Sequence, residues 1–172
     1  MTANDLARFQ RDLVDCVPKL RRFALSLAGN RADADDLVQA ACERALKGAG
    51  QFVPGTRLDS WMYRIVQNLW IDQRRRARTR GTAIDPEDAN LSDHGRAASL
   101  PEDRMMLDRA RAAMATLPEG QREVLSLVAI EGMSYKEAAE VLDLPVGTVM
   151  SRLSRAREAL LPKLGMSQGG RQ

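Results

Sequence analysis

The chain has 172 residues and a net charge of +3, with 44% hydrophobic, 28% charged and only 4% aromatic residues. This balance excludes a wholly disordered chain, and the length suits one ordinary domain or two small ones. Abundant Ala, Leu and Arg with few aromatic residues favour helices over sheets. The N-terminus has no long apolar run and no segment is long enough to span a membrane, so we expect a cytosolic protein whose only cysteines, Cys16 and Cys42, stay reduced.

Charge is distributed unevenly along the chain. From residue 57 to residue 80 there are seven arginines and two acids, whereas from residue 81 to residue 104 there are six acids and two arginines. The second stretch is polar and shows no helical period, which is typical of a flexible linker. We therefore predict two units, 1–80 and 105–165, joined by an acidic flexible linker at 81–104 and followed by a disordered tail at 166–172.

Helical periodicity predicts the elements of the first unit. Apolar residues recur at helical spacing from Leu13 to Leu27, until Gly29-Asn30 ends the pattern. A second helix, Ala32 to Lys47, opens with aspartates, which suit the positive end of a helix. A loop rich in glycine leads to a third helix, Leu58 to about Arg76.

The second unit is predicted to be helical as well. Its clearest signal is Ser134-Tyr-Lys-Glu137, a capping box that opens a helix running to Asp143-Leu-Pro145. A last helix, Val146 to about Leu161, follows after this tight turn. The predicted fold class is thus all-α, with two small helical domains joined by a linker and a helix-turn-helix in the second.

The last helix carries the strongest functional signal. Thr148, Ser151, Arg152 and Arg155 lie on one face at helical spacing, where hydroxyls and guanidinium groups meet base edges and phosphates. An ordinary amphipathic helix with a solvated basic face is the alternative. The capped helix and tight turn in front of it favour DNA binding.

The third helix carries a second signal, because Asn68 and Trp70 lie beside a basic tail. Exposed aromatic and amide groups next to arginines suit single-stranded DNA. Trp61 is expected in the core, whereas for Trp70 burial and exposure remain equally open. The basic tail, whose charges suit contact with DNA phosphates, consists of Arg74, Arg75, Arg76, Arg78 and Arg80.

Catalytic and metal-binding patterns are missing from the sequence. His94 is the only histidine and lies in the linker, and Gly50 and Gly55 have Walker-like spacing but are followed by Thr56 where lysine is needed. We therefore predict no enzyme activity, no metal and no cofactor.

Nearly the whole chain resembles the extracytoplasmic-function (ECF, group IV) sigma factors. The segment ADDLVQAACERAL at 34–46 is similar to the helix of that family that binds core polymerase, and FVPGTRLDSWMYRIVQNLWIDQRR at 52–75 to the element that melts and reads the minus-ten promoter region. LPEGQREVL at 117–125, GMSYKEAA at 132–139 and GTVMSRLSRAR at 147–157 are similar to the minus-thirty-five-reading domain.

The resemblance implies a role for each group of residues. Asn68 and the loop from Phe52 to Ser60 would hold a flipped promoter base. The partners implied are promoter DNA, core RNA polymerase (the clamp helices of its largest subunit and the flap of the second largest) and an anti-sigma factor. The implied sites comprise Asp35, Asp36, Val38, Gln39 and Glu43 for polymerase; Asn68, Trp70, Arg74, Arg75, Arg76 and Arg78 for the minus-ten region; and Lys136, Thr148, Ser151, Arg152, Arg155 and Arg157 for the minus-thirty-five region.

Two other functions stay open from the sequence, a stand-alone helix-turn-helix regulator and a small nuclease. A regulator would usually carry a sensing domain in front, and a nuclease would need a catalytic cluster. Because the linker is predicted to be flexible, we further expect the free chain to be extended, with its two domains locked together only by an inhibitor.

Overall fold

The computed structural model describes residues 2–81 and 101–165. In these residues the chain is helical and contains no strand, which confirms the predicted fold class. Residues 82–100 of the predicted linker and the predicted tail lie outside the described residues. Residues 101–104, which the sequence assigns to the linker, are helical, so the linker bound is wrong at that end. No described helix is long and apolar enough to cross a bilayer.

The first unit is a bundle of three helices, α1 (Ala3–Ala28), α2 (Arg31–Lys47) and α3 (Leu58–Thr79). Gly29 ends α1 in the left-handed conformation at φ 75°, and the Asn30 side chain at once caps α2 by accepting a hydrogen bond from the backbone of Asp33. A 3-10 turn, Ala49–Gln51, and an irregular loop lead into α3.

The core of this unit is built from one face of each helix. Phe23 and Tyr63 meet edge to face with ring centroids 5.3 Å apart. Phe9, Phe52 and Trp61 form a second aromatic group, which ties the loop before α3 to α1 and places Trp61 against the core as expected. The two cysteines are free, and burial raises the pKa of both thiols, so neither has the thiolate character of a reactive cysteine.

The second unit contains α4 (Pro101–Ala115), α5 (Glu119–Leu125), α6 (Tyr135–Leu142) and α7 (Val146–Leu160), with a last 3-10 turn at Pro162–Leu164. A π-helical turn, Ser126–Ile130, continues α5, and the N–H of Glu131 donates to the carbonyl of Ser126 at 3.0 Å. The capping box predicted at the start of α6 is present.

The turn between α6 and α7 is tight because Asp143 adopts the left-handed conformation, with φ 52° and ψ 51°. Aspartate tolerates this region better than most residues with a side chain. Val149, Leu153 and Ala156 of α7 then face the core, so α6 and α7 form the helix-turn-helix that the sequence predicts.

The two units pack against each other, with α1 and α3 facing α5 and α6. The expectation of an extended chain is therefore wrong for this structure. The reason is a set of polar groups that form hydrogen bonds and ion pairs across the boundary between the units, in addition to an ion pair between Arg57 and Glu137. We call this set the docking seam: Arg22, Ser26, Tyr63, Gln67, Trp70 and Arg74 on the first unit, and Glu119, Arg122, Glu123 and Glu131 on the second.

Candidate polymerase and nucleic-acid interfaces

The face of α2 predicted to bind polymerase is mostly exposed. Asp36, Gln39 and Glu43 are open to solvent, and the Gln39 amide donates to Glu43 at 3.2 Å. Asp35 is half-buried and pairs with Arg21 at 3.0 Å. A polar surface rich in acids therefore runs along α2, because residues three and four apart share one side of a helix.

Val38 differs from the other four residues predicted for this surface. Its side chain is 4% exposed and belongs to the hydrophobic core. The sequence grouped it with its neighbours because it lies in the same motif, but the helical period turns it inward. Val38 therefore supports α2 from within and presents no surface to a partner in this structure.

The predicted minus-ten residues of α3 divide into two groups. Asn68, Arg75, Arg76 and Arg78 are exposed. Trp70 and Arg74 are half-buried, and both bind one carboxylate of the second unit, as described below. The exposed group forms a surface on which a nucleic-acid strand can lie, since arginine side chains are the usual partners of phosphates.

A cavity of about 520 Å³ lies between α1 and the loop that precedes α3. Phe52, Leu58 and Asp59 line it together with Phe9 and Cys16 of α1. The family resemblance implies that this loop holds a flipped base, and an aromatic wall fits that role. Asn68, to which the same role is assigned, is not among the described residues that line the cavity.

The helix-turn-helix presents most of its predicted DNA contacts to solvent. Ser151, Arg155 and Arg157 of α7 and Lys136 of α6 are exposed, and Thr148 is half-buried. The Ser151 hydroxyl donates to the carbonyl of Thr148 at 3.1 Å. The face that carries Ser151 and Arg155 is thus available to a DNA groove.

Arg152 is turned away from that face. Its guanidinium lies across Gly120 of α5, so closely that a Cβ on Gly120 would be 2.6 Å from Nη1 of Arg152. Only glycine leaves room for this approach. Arg152 also lowers the pKa of Glu123 through its charge. In this structure Arg152 therefore connects α7 to α5.

Sequence reasoning missed the docking seam altogether. Glu119, Arg122 and Glu123 belong to the segment LPEGQREVL, whose charges sit beside a run of buried apolar residues. Charged residues in such a run are a signal of burial with a partner. The partners are distant in sequence, so the segment alone could not name them.

Glu123 is the least well compensated member of the seam. It is buried, and within residues 2–81 and 101–165 its one hydrogen bond from a side chain comes from the Gln67 amide at 3.3 Å. Burial raises the pKa of its carboxyl, against the opposing effects of Gln67, Arg152 and Arg122. A buried carboxylate with incomplete pairing disfavours the folded state when it is ionised.

We expect Glu123→Gln to stabilise the protein by about 1 kcal/mol at neutral pH, because the amide keeps an acceptor for Gln67 without the buried charge. For a chain of this length the melting temperature should rise by roughly 2–4 °C. The gain depends on pH. Well below the ordinary glutamate pKa the side chain is neutral in both the folded and unfolded states, so the two melting temperatures should coincide there. They should separate as pH rises from the ordinary pKa to the elevated pKa of the folded state, and the difference should stay constant above it.

Thermal unfolding of both proteins followed by circular dichroism between about pH 3 and 8 measures this difference. Glu158→Gln is the matched control, because Glu158 is exposed and, among the described residues, accepts only from Ser154 within the same helix. A Glu123→Gln protein that melts below the wild type at pH 8 would show that the carboxylate is stabilising and contradict this account.

Comparison with known proteins places both units in one family. Residues 13–80 match the model of sigma-70 region 2, and residues 107–160 match that of sigma-70 region 4. The chain is 42% identical over 152 residues to the ECF RNA polymerase sigma factor EcfG of Rhodopseudomonas palustris, an alignment that covers 87% of this chain and 81% of that one. It is 32% identical to SigW of Bacillus subtilis, with 89% and 87% covered.

Solved structures agree over both units. The sigma factor RpoE of Bartonella quintana, in complex with the anti-sigma factor NepR, superposes with a TM-score of 0.79 at 31% identity, covering 94% of this chain and 99% of that one. CnrH in complex with the cytosolic domain of CnrY gives a TM-score of 0.66 at 28% identity, covering 95% and 94%. The chain belongs to the ECF RNA polymerase sigma factors.

Proposed function

We propose that this chain is a group IV sigma factor that binds core RNA polymerase in the bacterial cytoplasm and directs it to a specific set of promoters. The observation that carries the proposal is the presence of both sigma-70 region 2 and region 4 in one chain. A stand-alone regulator would need only the helix-turn-helix, so region 2 argues against that alternative. The family consists of initiation factors, which confirms the prediction that the chain is not an enzyme.

Each unit has its own task in this proposal. Residues 1–80 act as region 2, which binds polymerase and melts the minus-ten element, and residues 105–165 act as region 4, which reads the minus-thirty-five element. Residues 81–104, of which the last four already belong to α4, connect the two, and residues 166–172 follow the second unit. The charge pattern supports this division, because the basic tail of α3 and the basic face of α7 lie in different units.

The proposed polymerase contact is the acidic face of α2, formed by Asp35, Asp36, Gln39 and Glu43. Its proposed partner is the clamp helices of the largest polymerase subunit, while the flap of the second largest subunit contacts region 4. Exposed carboxylates at the edge of an interface raise the association rate with a basic partner and fix its orientation. The exposure of Asp36, Gln39 and Glu43 supports this contact.

We expect Asp36→Arg combined with Glu43→Arg to weaken binding to core polymerase at least tenfold, because two attractive charges become repulsive. Both side chains are exposed, so helical content and melting temperature should stay unchanged. A pull-down with purified core polymerase at increasing concentrations of the chain measures the effect.

The matched control is Asp12→Arg with Asp15→Arg, which makes the same change in net charge on exposed positions of α1 in the same unit. This control should bind as the wild type does. Equal binding of the two double variants would contradict the assignment of α2. Transcription from promoters selected out of random DNA, with core polymerase and this chain alone, tests the proposed function as a whole.

Arg155 is the side chain best placed to read the minus-thirty-five element. It is exposed on α7, and a guanidinium forms bidentate hydrogen bonds with guanine. We expect Arg155→Ala to lower the discrimination between a selected promoter and one with an altered minus-thirty-five element by about 1–3 kcal/mol. Competition between the two promoters in single-round transcription measures it.

Arg11→Ala removes the same charge from an exposed position of α1 and should leave promoter choice unaltered. If Arg155→Ala reduces transcription equally on both promoters, Arg155 contacts a DNA phosphate and not a base. Unchanged activity on the selected promoter would exclude any contact with DNA.

Control by an anti-sigma factor also belongs to the proposal. The similar RpoE chain is bound by the anti-sigma factor NepR, and the superposition with it spans both units. An inhibitor that recognises both units together would hold the acidic face of α2 and the basic face of α7 in a fixed arrangement. The packed arrangement of the two units in this chain supports such recognition.

A further inference from the structure

One carboxylate of the second unit occupies two of the residues that we assign to the minus-ten region. The indole Nε1 of Trp70 donates to Oε1 of Glu119 at 2.6 Å. The guanidinium of Arg74 forms an ion pair with the same carboxylate and lies over the Trp70 ring, 6.0 Å from its centroid. Glu119 thus pairs with Arg74 and accepts a hydrogen bond from Trp70, while Arg74 and Trp70 form a cation–π contact with each other.

These are the contacts that a DNA strand needs. An arginine that pairs with a carboxylate binds a phosphate through the same N–H donors, and an indole supplies both a stacking face and one donor. While Glu119 is in place, neither Arg74 nor Trp70 can offer these groups to DNA. At Trp70 and Arg74, contact with α5 and contact with a DNA single strand therefore exclude each other.

We propose that the docked arrangement is a self-inhibited state, in which Glu119 takes the place of a DNA phosphate on Trp70 and Arg74. The inference rests on the proposed function, because it needs α3 to bind promoter DNA. It goes beyond that function by assigning an inhibitory role to the second unit of the chain itself.

Other residues of the docking seam hold Glu119 in position. The side chain of Glu131 is 2% exposed and accepts from Nε and Nη2 of Arg22, each at 2.9 Å, and from the Tyr63 hydroxyl at 2.8 Å. Arg122 donates across the boundary to the carbonyl of Ser26. None of these five residues is among the predicted DNA contacts, so they fix the arrangement and leave the competition to Glu119.

The arrangement can open because it is polar. When the units separate, water and the charges of DNA and polymerase can replace the lost partners of its ion pairs. Separation therefore costs less free energy than the separation of an apolar interface would. Region 2 then regains Trp70 and Arg74 when the second unit moves away. A ligand that binds only the open form shifts the population toward it.

The first experiment measures binding of a fluorescein-labelled, single-stranded DNA of twelve mixed nucleotides to the full chain by fluorescence anisotropy. All variants are compared at one salt concentration, because contacts with phosphates depend strongly on salt. We expect Glu119→Gln to tighten binding about tenfold, since the ion pair with Arg74 is lost. Glu131→Ala should tighten it as well, although Glu131 contacts neither Trp70 nor Arg74.

Two controls separate the possible failures. Glu158→Gln removes a negative charge from an exposed position of the second unit and should change the affinity less than twofold. Arg75→Ala, in the exposed basic tail of α3, should weaken binding. If Arg75→Ala binds as the wild type does, the proposed DNA role of α3 fails. If it weakens binding but Glu119→Gln has no more effect than Glu158→Gln, only the self-inhibition fails.

A second experiment tests the docked state without DNA. The chain has two tryptophans, so Trp61→Phe leaves Trp70 as the only one. Quenching of its fluorescence by acrylamide reports its exposure to solvent. We expect quenching to increase at least twofold in Glu119→Gln and Glu131→Ala, and to stay unchanged in Glu158→Gln. Equal quenching in all four proteins would mean that Trp70 is not covered in the free chain, and the proposal would be overturned.

Discussion

Replacing Glu131 by alanine is expected to separate the two units while each of them stays folded. The substitution leaves the buried Tyr63 hydroxyl and the half-exposed Arg22 guanidinium without their common acceptor. Burial, together with the hydrogen bond to Glu131, raises the pKa of Tyr63, so its hydroxyl remains a donor throughout the physiological range. Loss of the acceptor of the buried Tyr63 hydroxyl costs about 1–3 kcal/mol, and loss of the pair with half-exposed Arg22 adds at most about 1 kcal/mol because water can replace the carboxylate there.

Small-angle scattering measures the separation as an increase in the radius of gyration of the free chain, and circular dichroism checks that helical content is unchanged. A double-mutant cycle with Arg22→Ala isolates the pair, because the two substitutions together should cost less than the sum of their separate effects. Additive effects would show that Arg22 and Glu131 do not act as one unit. An unchanged radius of gyration in Glu131→Ala would show that the remaining seam contacts suffice to hold the units together.

Arg122→Ala is expected to be the most destabilising single substitution among the seam residues. The Arg122 side chain is 3% exposed and donates to the carbonyl of Ser26 and, at 3.5 Å, to those of Ala115 and Leu117. Burial lowers the pKa of the guanidinium, against the charge of Glu123. Alanine leaves the buried carbonyls of Ser26 and Leu117 without this donor and Glu123 without its adjacent cation, at a loss of about 3–5 kcal/mol.

The melting temperature should fall by roughly 10 °C, which corresponds to this loss for a chain of the same size. Urea unfolding gives the free energy directly, and exposed Arg155→Ala serves as the control, with an expected change within about 0.5 kcal/mol. Arg122→Ala combined with Glu123→Gln should recover part of the loss, because the second substitution removes the buried charge. A loss below about 1 kcal/mol for Arg122→Ala alone would mean that water replaces the guanidinium at this site.

Local sequence signals predicted the helices and their ends because those features depend on neighbouring residues. Gly29 and Asn30 end one helix and begin the next, and the Ser134-Glu137 capping box opens α6 as predicted. The exposed face of α7 also follows from its period alone. In each case the residues that decide the structure lie within about one helical turn of each other.

The arrangement of the two units could not be predicted in this way. The seam contacts join residues that are between 45 and 109 positions apart, as in the pairs Arg74–Glu119 and Arg22–Glu131. Composition predicted a flexible linker and hence an extended chain. A linker, however, limits only how far apart the two units can lie, and it does not determine how strongly they bind each other. For the same reason Arg152 was assigned to DNA by its position on α7, whereas its actual neighbour, Gly120, lies on another helix.

The π-helical turn after α5 sets the angular register of the acids in the seam. In an unbroken α-helix the eight-residue step from Glu123 to Glu131 would place the two side chains about 80° apart around the axis. A π turn takes up one extra residue, so the step corresponds to seven α-helical residues and the difference falls to about 20°. The inserted residue thus aligns Glu131 with Glu123 on the side that faces α1 and α3. Among related chains, a one-residue deletion inside this turn would preserve the alignment, whereas a deletion between Glu119 and Glu123 would rotate Glu119 by about 100° away from Trp70.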